Sequence, residues 1–239
     1  MAFSDDKPLS VRTERERVQG VLAGLPPPLY IGGAVVREEV LGDHDLKRLL
    51  AAYGVRVTRQ APANTATAVL RIGAKLDFPV ELLPCAAPHS DVSTLIAVES
   101  RERVICQSQA DLKRQAALML ARHADVLLRE VVAPGPSVRL SVASERGVGN
   151  VLRLGGDEAA LLPLGRAEAA ALAEQVCRAH GVDGATELAQ LCGQIAACLG
   201  EHALTLDLDV RLGSGPVVMH AAGVLSRTDV SAATGRRRA

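Results

Sequence analysis

The sequence predicts an α/β fold, and three observations carry that prediction. Helical and strand patterns alternate through the middle of the chain. Near the end, residues 204–212 alternate strictly between apolar and polar side chains, which is typical of a strand with one buried face. The chain has 239 residues, 48% of them apolar, so it is long enough for one large domain or two small lobes with a buried core.

Composition narrows the class of function. The chain carries 27 basic and 27 acidic residues, and 2% aromatic residues with no Trp, which argues against nucleic-acid binding. No apolar stretch reaches the roughly 18 residues of a membrane span, and the charged N-terminus lacks the apolar core of a secretory signal. Five cysteines without C-x-x-C spacing are typical of a reducing compartment. We therefore expect a cytoplasmic protein that binds neither membrane nor nucleic acid.

The two ends of the chain are interpreted as additions to the folded part. Residues 1–33 form an appendage, in which a short amphipathic helix beginning near Ser10 is followed by the stiff run LPPP. Residues 226–239 are small and polar and finish in three arginines, which predicts a flexible basic tail.

The first half of the folded part predicts helices and strands in turn. Asp43 is a good N-cap for a helix whose apolar residues recur at helical spacing up to Tyr53, and Gly54 ends that helix. We expect, in order, a strand at 55–58, a helix at 65–76, strands at 78–83 and 94–98, a helix capped by Ser108 and a strand at 125–132.

The second half ends in the clearest pattern of the chain. A strand over 137–142 and a glycine-rich segment precede two helices, whose buried faces run from Ala169 to Cys177 and from Leu188 to Leu199. The turn at 213–216 then joins the alternating strand 204–212 to a partner strand at 217–222.

Several strings, in this order, resemble the ATP-grasp domain of NDP-forming acyl-CoA synthetases, which stands alone as the β subunit of ADP-forming acetyl-CoA synthetase. LKRLLAAYGVRVTR is similar to the family's opening helix and first strand, DFPVELL to its "yPVvLK" strand and PHSDV to its "HKSDvGGV" loop. VLLREVVAPGPSVRLSV resembles the hinge strand, the glycines of 149–156 resemble "FGP...GLGG", and LTLDLDVRLGSGPVVMHA resembles the closing hairpin.

The resemblance implies an ATP-grasp module of two α+β lobes, with ATP or ADP bound in a cleft between them. We expect a first lobe at 34–124 and a second lobe at 125–225. It also implies a Mg²⁺ or Mn²⁺ ion and a CoA-binding α-type partner subunit, because this chain has no evident CoA-binding half of its own. The phosphates would be held by lysine and arginine, since phosphoryl transfer depends on positioning and charge neutralisation.

The chain departs from the family at several nucleotide-site positions. The strand lysine that follows the "yPV" motif falls at Leu83, and the hinge acid falls near Arg139. The "HKSDvGGV" loop has become PHSDVST, without its lysine and both glycines. The Asn and the Asp of the closing hairpin are Asp209 and His220 here. These departures predict weakened nucleotide binding.

His89 is the candidate catalytic residue, because the family's loop histidine carries phosphate between the partner subunit and the nucleotide. Asp91, two positions further on, would orient its ring. The alternative is an ordinary histidine in a surface loop.

The glycine-rich segment supplies the candidate phosphate-binding backbone. Gly149, Gly155 and Gly156 would let backbone amides approach a nucleotide. Their spacing is not that of a Walker loop, and the alternative is that they serve turns and bulges.

The closing hairpin supplies a candidate metal site. If the loop is 213–216, Asp209 faces His220 across the two strands, and Asp207 lies on the same face two positions along. Two carboxylates and an imidazole would suit manganese or zinc at least as well as magnesium. The alternative is a cross-strand Asp–His pair in solvent.

Two functions follow from the resemblance. The first is an ATP-grasp subunit of an acid–CoA ligase with weakened nucleotide binding. The second is a catalytically degenerate member of the family that acts as a partner-binding or regulatory subunit. A third and weaker interpretation is a metal-binding module built on the hairpin.

Overall fold

The computed structural model of the chain describes residues 14–23, 36–87, 90–145, 148–156 and 158–228. Within these ranges the helices are Arg15–Ala23 (α1), Asp43–Ala52 (α2), Ala66–Gly73 (α3), Val92–Glu102 (α4), Gln109–Leu120 (α5), Arg166–His180 (α6) and Ala185–Glu201 (α7). The strands are Val36–Leu41 (β1), Gln60–Ala63 (β2), Val80–Pro84 (β3), Val104–Cys106 (β4), Val126–Glu130 (β5), Ser137–Glu145 (β6), Gly149–Leu154 (β7), Glu158–Leu161 (β8), Ala203–Arg211 (β9) and Val217–Thr228 (β10).

The strands form two antiparallel sheets. The larger sheet has six strands in the order β1-β10-β9-β6-β7-β8, and the smaller has four in the order β2-β5-β3-β4. The helix α4 contacts β3 of the smaller sheet and both β9 and β10 of the larger sheet. We call the space that α4 occupies between the two sheets the cleft.

Each sheet has its own hydrophobic core on the side away from the cleft. The apolar face of β9 packs with α2, α6 and α7, and residues such as Leu208, Ile195 and Leu49 are fully buried there. A separate core forms where α3 and α5 cover the smaller sheet around Leu82, Leu112 and Leu128. Since apolar burial is satisfied within each unit, the surfaces that meet in the cleft are free to be polar.

Most of the predicted elements are confirmed. The helices expected after Asp43, from Thr65 and after Ser108 are α2, α3 and α5, and the two long helices are α6 and α7. The side chains of Thr65 and Ser108 accept hydrogen bonds from the backbone of the first helical turn, as N-caps do. The strands predicted at 78–83, 125–132 and 137–142 and the closing hairpin are present as β3, β5, β6 and β9–β10.

The strand predicted at 94–98 is wrong, because this segment belongs to the helix α4. Its β-branched residues favour a strand by intrinsic preference. The helix forms because Asp91 caps its first turn and Arg103 pairs with Glu99 one turn before it. Contacts with both sheets complete the helix, and these long-range contacts are not visible in the local pattern.

Two further elements begin at residues other than those predicted. Gly42 rather than Asp43 is the N-cap of α2, and the Asp43 side chain accepts a hydrogen bond from the backbone N–H of Ala221 at 2.7 Å instead. The strand predicted at 55–58 is wrong. This segment makes an isolated bridge to Val218, and β2 begins at Gln60.

The residues of the two sheets are not separated by a single boundary at residue 125. The strand β5 follows that boundary but pairs within the smaller sheet, whereas β1 and α2 precede it and pack with the larger sheet. At the ends, Val18 and Val21 of α1 are buried in the larger core, and β10 continues to Thr228. Within the described ranges, each helix is too short or too polar to cross a bilayer.

The segment that connects the two sheets passes very close to the end of β9. The Leu212 N–H donates to the Pro136 carbonyl at 2.8 Å. A Cβ added at Gly135 would lie 2.0 Å from the Leu212 carbonyl oxygen, which is backbone and cannot rotate away. Glycine is therefore required here by close approach of the two chain segments.

We predict that Gly135→Ala lowers the free energy of unfolding by about 1–3 kcal/mol, because a methyl group must push two backbone segments apart. Urea unfolding monitored by circular dichroism measures the change. The matched control is Gly200→Ala in α7, where an added Cβ meets nothing within 4 Å, and stability should not fall. Equal stability of the Gly135→Ala variant and the parent would contradict the close contact.

Candidate functional site

The polar face of the closing hairpin looks into the cleft. The apolar residues of β9 from Leu204 to Leu212 are buried in the larger core, and the polar residues between them lie on the opposite face. On β10, the His220 ring reaches from that face to Glu99 of α4. The face predicted from the alternation is confirmed, and it is turned towards the smaller sheet.

Asp209 and His220 are cross-strand partners, as the hairpin register predicted. The path to this register differs from the expected one, because Val217 pairs with Arg211, one residue earlier than the turn indicated. A β-bulge then leaves Met219 without a partner, which brings His220 back opposite Asp209. The predicted pairing is correct, although the predicted loop is one residue too short.

A buried carboxylate joins the two sheets in the cleft. Oε2 of Glu99 accepts a hydrogen bond from Nε2 of His220 at 2.6 Å and another from Nη2 of Arg129 at 2.8 Å. His220 belongs to the larger sheet and Arg129 to the smaller, where Arg129 also donates from Nε to Oε2 of Glu81 at 2.8 Å. The helix α4 is thereby bound to both sheets at one point. We call Glu81, Glu99, Arg129 and His220 the cleft cluster.

Charge in the cluster keeps Glu99 ionised despite its burial. Burial acts to raise the pKa of Glu99, but the hydrogen bond from His220 and the charge of Arg129 outweigh it and lower that pKa to about 2. The neighbouring Asp209 responds in the opposite direction. Its burial raises the pKa of that carboxyl, although the charge of His220 opposes the rise.

A second polar contact centres on Lys47 of α2, whose side chain is buried. Its ammonium has oxygen partners on three parts of the chain: the Met219 carbonyl (2.5 Å), Gln60 Oε1 (2.9 Å), Thr58 Oγ1 (3.0 Å) and Asp43 Oδ2 (3.1 Å). Burial lowers the pKa of Lys47 to about 8, while the charge of Asp43 opposes the fall. This lysine ties α2 to the bulge of β10 and to the segment that leads into the smaller sheet.

The three predicted metal ligands do not converge on an ion. The Asp207 carboxylate accepts hydrogen bonds from Nε and Nη2 of Arg139 on β6, and His220 is bound to Glu99. Among the residues that the structure describes, no group of three or more His, Cys, Asp or Glu side chains is arranged to hold a metal ion. Asp209 and His220 are buried cross-strand neighbours, and their role as metal ligands stays a prediction.

His89 lies outside the described residues, so its role as a carrier of phosphate stays a prediction. Its neighbour Asp91 is the N-cap of α4, and Oδ1 of Asp91 accepts a hydrogen bond from the Thr94 N–H at 2.7 Å. That hydrogen bond is the main reason that the pKa of Asp91 is lowered. In the described part of the loop, Asp91 therefore serves the helix that carries Glu99.

The predicted phosphate-binding glycines occupy turn positions. Gly149 begins β7, and Gly155 with Gly156 forms the turn between β7 and β8, with φ angles of 109°, 70° and 110°. Residues that carry a side chain rarely adopt such positive φ angles, so these positions favour glycine. Gly155 also donates from its N–H to the Arg139 carbonyl at 2.8 Å. The turns explain these residues, and a role in nucleotide binding stays a prediction.

Sequence reasoning missed the residues that join the sheets. Arg129 and Glu81 are charged residues in apolar strand segments, and this pattern is typical of a buried ion pair. It could have indicated both. Glu99 gave no such signal, since its segment was interpreted as a strand, and Lys47 fell among apolar helix positions without a visible partner.

Two cavities lie near these elements. One of about 180 Å³ is in the cleft, bounded by Asp43, Gln60, Cys85, Leu95 and Leu127. The other, of about 420 Å³, lies between α7 and the β9–β10 turn and is lined by both polar and apolar residues, among them Glu187, Gln194 and Leu191. None of the site residues predicted from sequence lies on its wall.

The sequence matches no protein-family model and no curated protein. Solved structures are similar in shape. PH1788 from Pyrococcus horikoshii superposes with a TM-score of 0.64 at 16% identity, over 92% of this chain and 100% of that chain. The dinucleotide-forming acetyl-coenzyme A synthetase 1 of Candidatus Korarchaeum cryptofilum, in complex with coenzyme A, Ca-AMPCP and HgCl⁺, superposes at 0.61 and 17% identity over 79% of this chain and 94% of that chain.

Another structure of the Korarchaeum enzyme holds coenzyme A and acetyl-coenzyme A and has a phosphorylated phosphohistidine segment. It superposes with a TM-score of 0.63 at 15% identity, over 90% of this chain and 100% of that chain. At these identities the likeness shows the fold. The chain has the ATP-grasp fold, as the sequence predicted.

We predict that Glu99→Gln lowers the free energy of unfolding by about 3 kcal/mol at pH 7, because it removes one charge from a buried ion pair. The folded-state pKa is lowered from the usual 4.5 to about 2, so this stabilisation is complete above pH 4.5 and is lost as the pH falls towards 2. The difference between parent and variant should therefore shrink over that interval when urea unfolding is repeated at each pH.

Glu102→Gln on the same helix is the matched control. Its carboxylate pairs with His123 at a partly exposed position, so its effect should stay below about 1 kcal/mol. A difference between the parent and Glu99→Gln that does not change between pH 7 and pH 2 would show that Glu99 is not held as a carboxylate.

Proposed function

We propose that this chain is the ATP-grasp subunit of an assembly of the NDP-forming acyl-CoA synthetase kind, in which its own affinity for nucleotide is weakened. The observation that carries the proposal is the position of α4. This helix lies between the two sheets of an ATP-grasp fold, and Glu99 binds Arg129 and His220, two donor side chains that line the cleft.

The extent of the structural likeness supports the subunit role. The chain spans 94% or more of each of the three chains named above, and two of these three structures contain coenzyme A. We therefore expect the partner to be a CoA-binding α-type subunit. The acyl group and the phosphate would be exchanged on that partner, and this chain would supply the nucleotide side of the assembly.

The environment of Leu83 supports weakened nucleotide binding. Leu83 holds the position of the family's strand lysine, and it is two residues from Glu81 on the cleft face of β3. It is buried and belongs to neither hydrophobic core. A charge-assisted contact to phosphate is worth about 1.5–3 kcal/mol, so its loss weakens binding by about 10- to 150-fold.

The hairpin donors fit Mg²⁺ poorly. Magnesium prefers oxygen ligands, whereas one of the two facing side chains is the His220 imidazole and the other is the buried Asp209. Asp207 is held by Arg139. A nucleotide in this cleft would bring its own Mg²⁺ or Mn²⁺, and the proposed function needs no metal held by the hairpin.

A second candidate function is a partner-binding subunit without turnover. The same side chains favour it, since Leu83 lacks the lysine charge and Glu99 neutralises Arg129 within the cleft. The two candidates differ in one measurable property. A weakened ligase subunit binds ATP once its missing charge is restored, and a purely structural subunit does not.

We predict that the parent chain binds Mg-ATP with a dissociation constant weaker than about 100 μM, and that Leu83→Lys tightens binding by about tenfold or more. Isothermal titration calorimetry measures both. Leu83→Met is the matched control, because it has a similar length without the charge and should leave the affinity unchanged. A low-micromolar constant for the parent would contradict the weakened cleft, and no gain in Leu83→Lys would favour the purely structural subunit.

A further inference from the structure

The Arg129 guanidinium has an unused donor in the middle of the protein. Its side chain is 0% exposed, and its Nη1 has no hydrogen-bond partner among the described residues. Nε and Nη2 are both satisfied, by Glu81 and Glu99. A buried N–H without a partner costs free energy, so an acceptor for Nη1 is expected there.

Nη2 of Arg129 and Nε2 of His220 point at the same atom. Both donate to Oε2 of Glu99, from opposite sheets, at 2.8 Å and 2.6 Å. Lys47 lies close enough for its charge to interact with both Glu99 and Arg129. If Glu99 is removed, two donors remain aimed at the position that its oxygen has left. Converging N–H donors of this kind are the usual means of binding an oxyanion.

A carboxylate satisfies this site only in part. One oxygen of Glu99 takes both cleft donors, and the other accepts from Arg103, which directly follows α4, at 3.3 Å. Neither oxygen of Glu99 accepts a hydrogen bond from Nη1 of Arg129. A tetrahedral oxyanion has four oxygens and can accept at once from Nη1 and Nη2 of Arg129 and from Nε2 of His220.

We propose that Arg129 and His220 form a binding site for a tetrahedral oxyanion, a phosphate or a phosphoryl group, and that the Glu99 carboxylate is its internal competitor. Without the oxyanion, α4 places Glu99 in the site. When the oxyanion binds, α4 moves and Glu99 leaves the site. The inference rests on the proposed function only in treating the cleft as the place where a phosphate-bearing ligand binds.

The surroundings of α4 are suited to this exchange. Leu95 lies one helical turn before Glu99, and it borders the cleft cavity of about 180 Å³. That volume exceeds the roughly 30 Å³ of a water molecule several times over, so the side of α4 that carries Leu95 faces open space. Arg103, which directly follows α4, would keep its pair with Glu99 and give up its 3.5 Å contact with Glu81.

The test uses inorganic phosphate as the probe and the full chain as the protein. Isothermal titration calorimetry should show that Glu99→Gln binds phosphate about 10- to 100-fold more tightly than the parent, because the competing charge is gone. Glu102→Gln, on the same helix and paired with His123 outside the cleft, should bind phosphate like the parent. Equal affinity in Glu99→Gln and the parent would overturn the inference.

A second measurement on the parent protein keeps the inference testable if Glu99→Gln does not fold. Amide hydrogen exchange is compared in phosphate and in chloride at equal ionic strength. Phosphate should speed exchange at least severalfold in α4, and it should leave α5 unchanged, since α5 packs on the other face of the smaller sheet. Unchanged or slower exchange in α4 would overturn the inference.

The outcomes separate this site from the proposed function. Tighter phosphate binding by Glu99→Gln, with no ATP binding by Leu83→Lys, would support the oxyanion site and remove the nucleotide role. ATP binding by Leu83→Lys, with no effect of Glu99→Gln on phosphate, would support the nucleotide role and overturn the oxyanion site.

Discussion

The Glu99 carboxylate, held between Arg129 and His220, is the contact on which the arrangement of the two sheets depends. The two hydrophobic cores are separate, so most of the apolar burial lies within the unit of each sheet rather than between the sheets. The polar contacts of the cleft cluster and of Lys47 join the two sheets. A buried ion pair adds little when complete but costs several kcal/mol when one partner is lost, which fixes the sheets in one relation.

The sequence predicted the elements better than their relation to one another. The alternation in β9 placed Asp209 opposite His220, because a slip of one residue would have turned the strand's apolar face to water. Local caps such as Ser108 and Thr65 located helices. The helix α4 was missed because its form depends on contacts with two sheets far apart in sequence. Partners of Glu99 such as His220 could not be read from any local pattern.

The substitutions in the cleft form one connected set. At the closing hairpin, His220 donates to Glu99, at a position where the family that the sequence resembles has an acid. On β3, Leu83 lies where the resemblance implies a lysine, and on β6 Arg139 binds Asp207. In the cleft, the chain's own carboxylates bind the donor side chains Arg129, Arg139 and His220.

A double-mutant cycle between Glu99 and His220 tests this account most directly. The free energy of unfolding is measured for the parent, Glu99→Gln, His220→Asn and the double variant at pH 6, where both side chains contribute to the bridge between α4 and the larger sheet. Neighbouring residues in one hydrogen-bonded network show coupling of about 0.5–3 kcal/mol, and we expect at least 1 kcal/mol here. Additive effects, with coupling below about 0.5 kcal/mol, would contradict the claim that this pair holds α4 against the larger sheet.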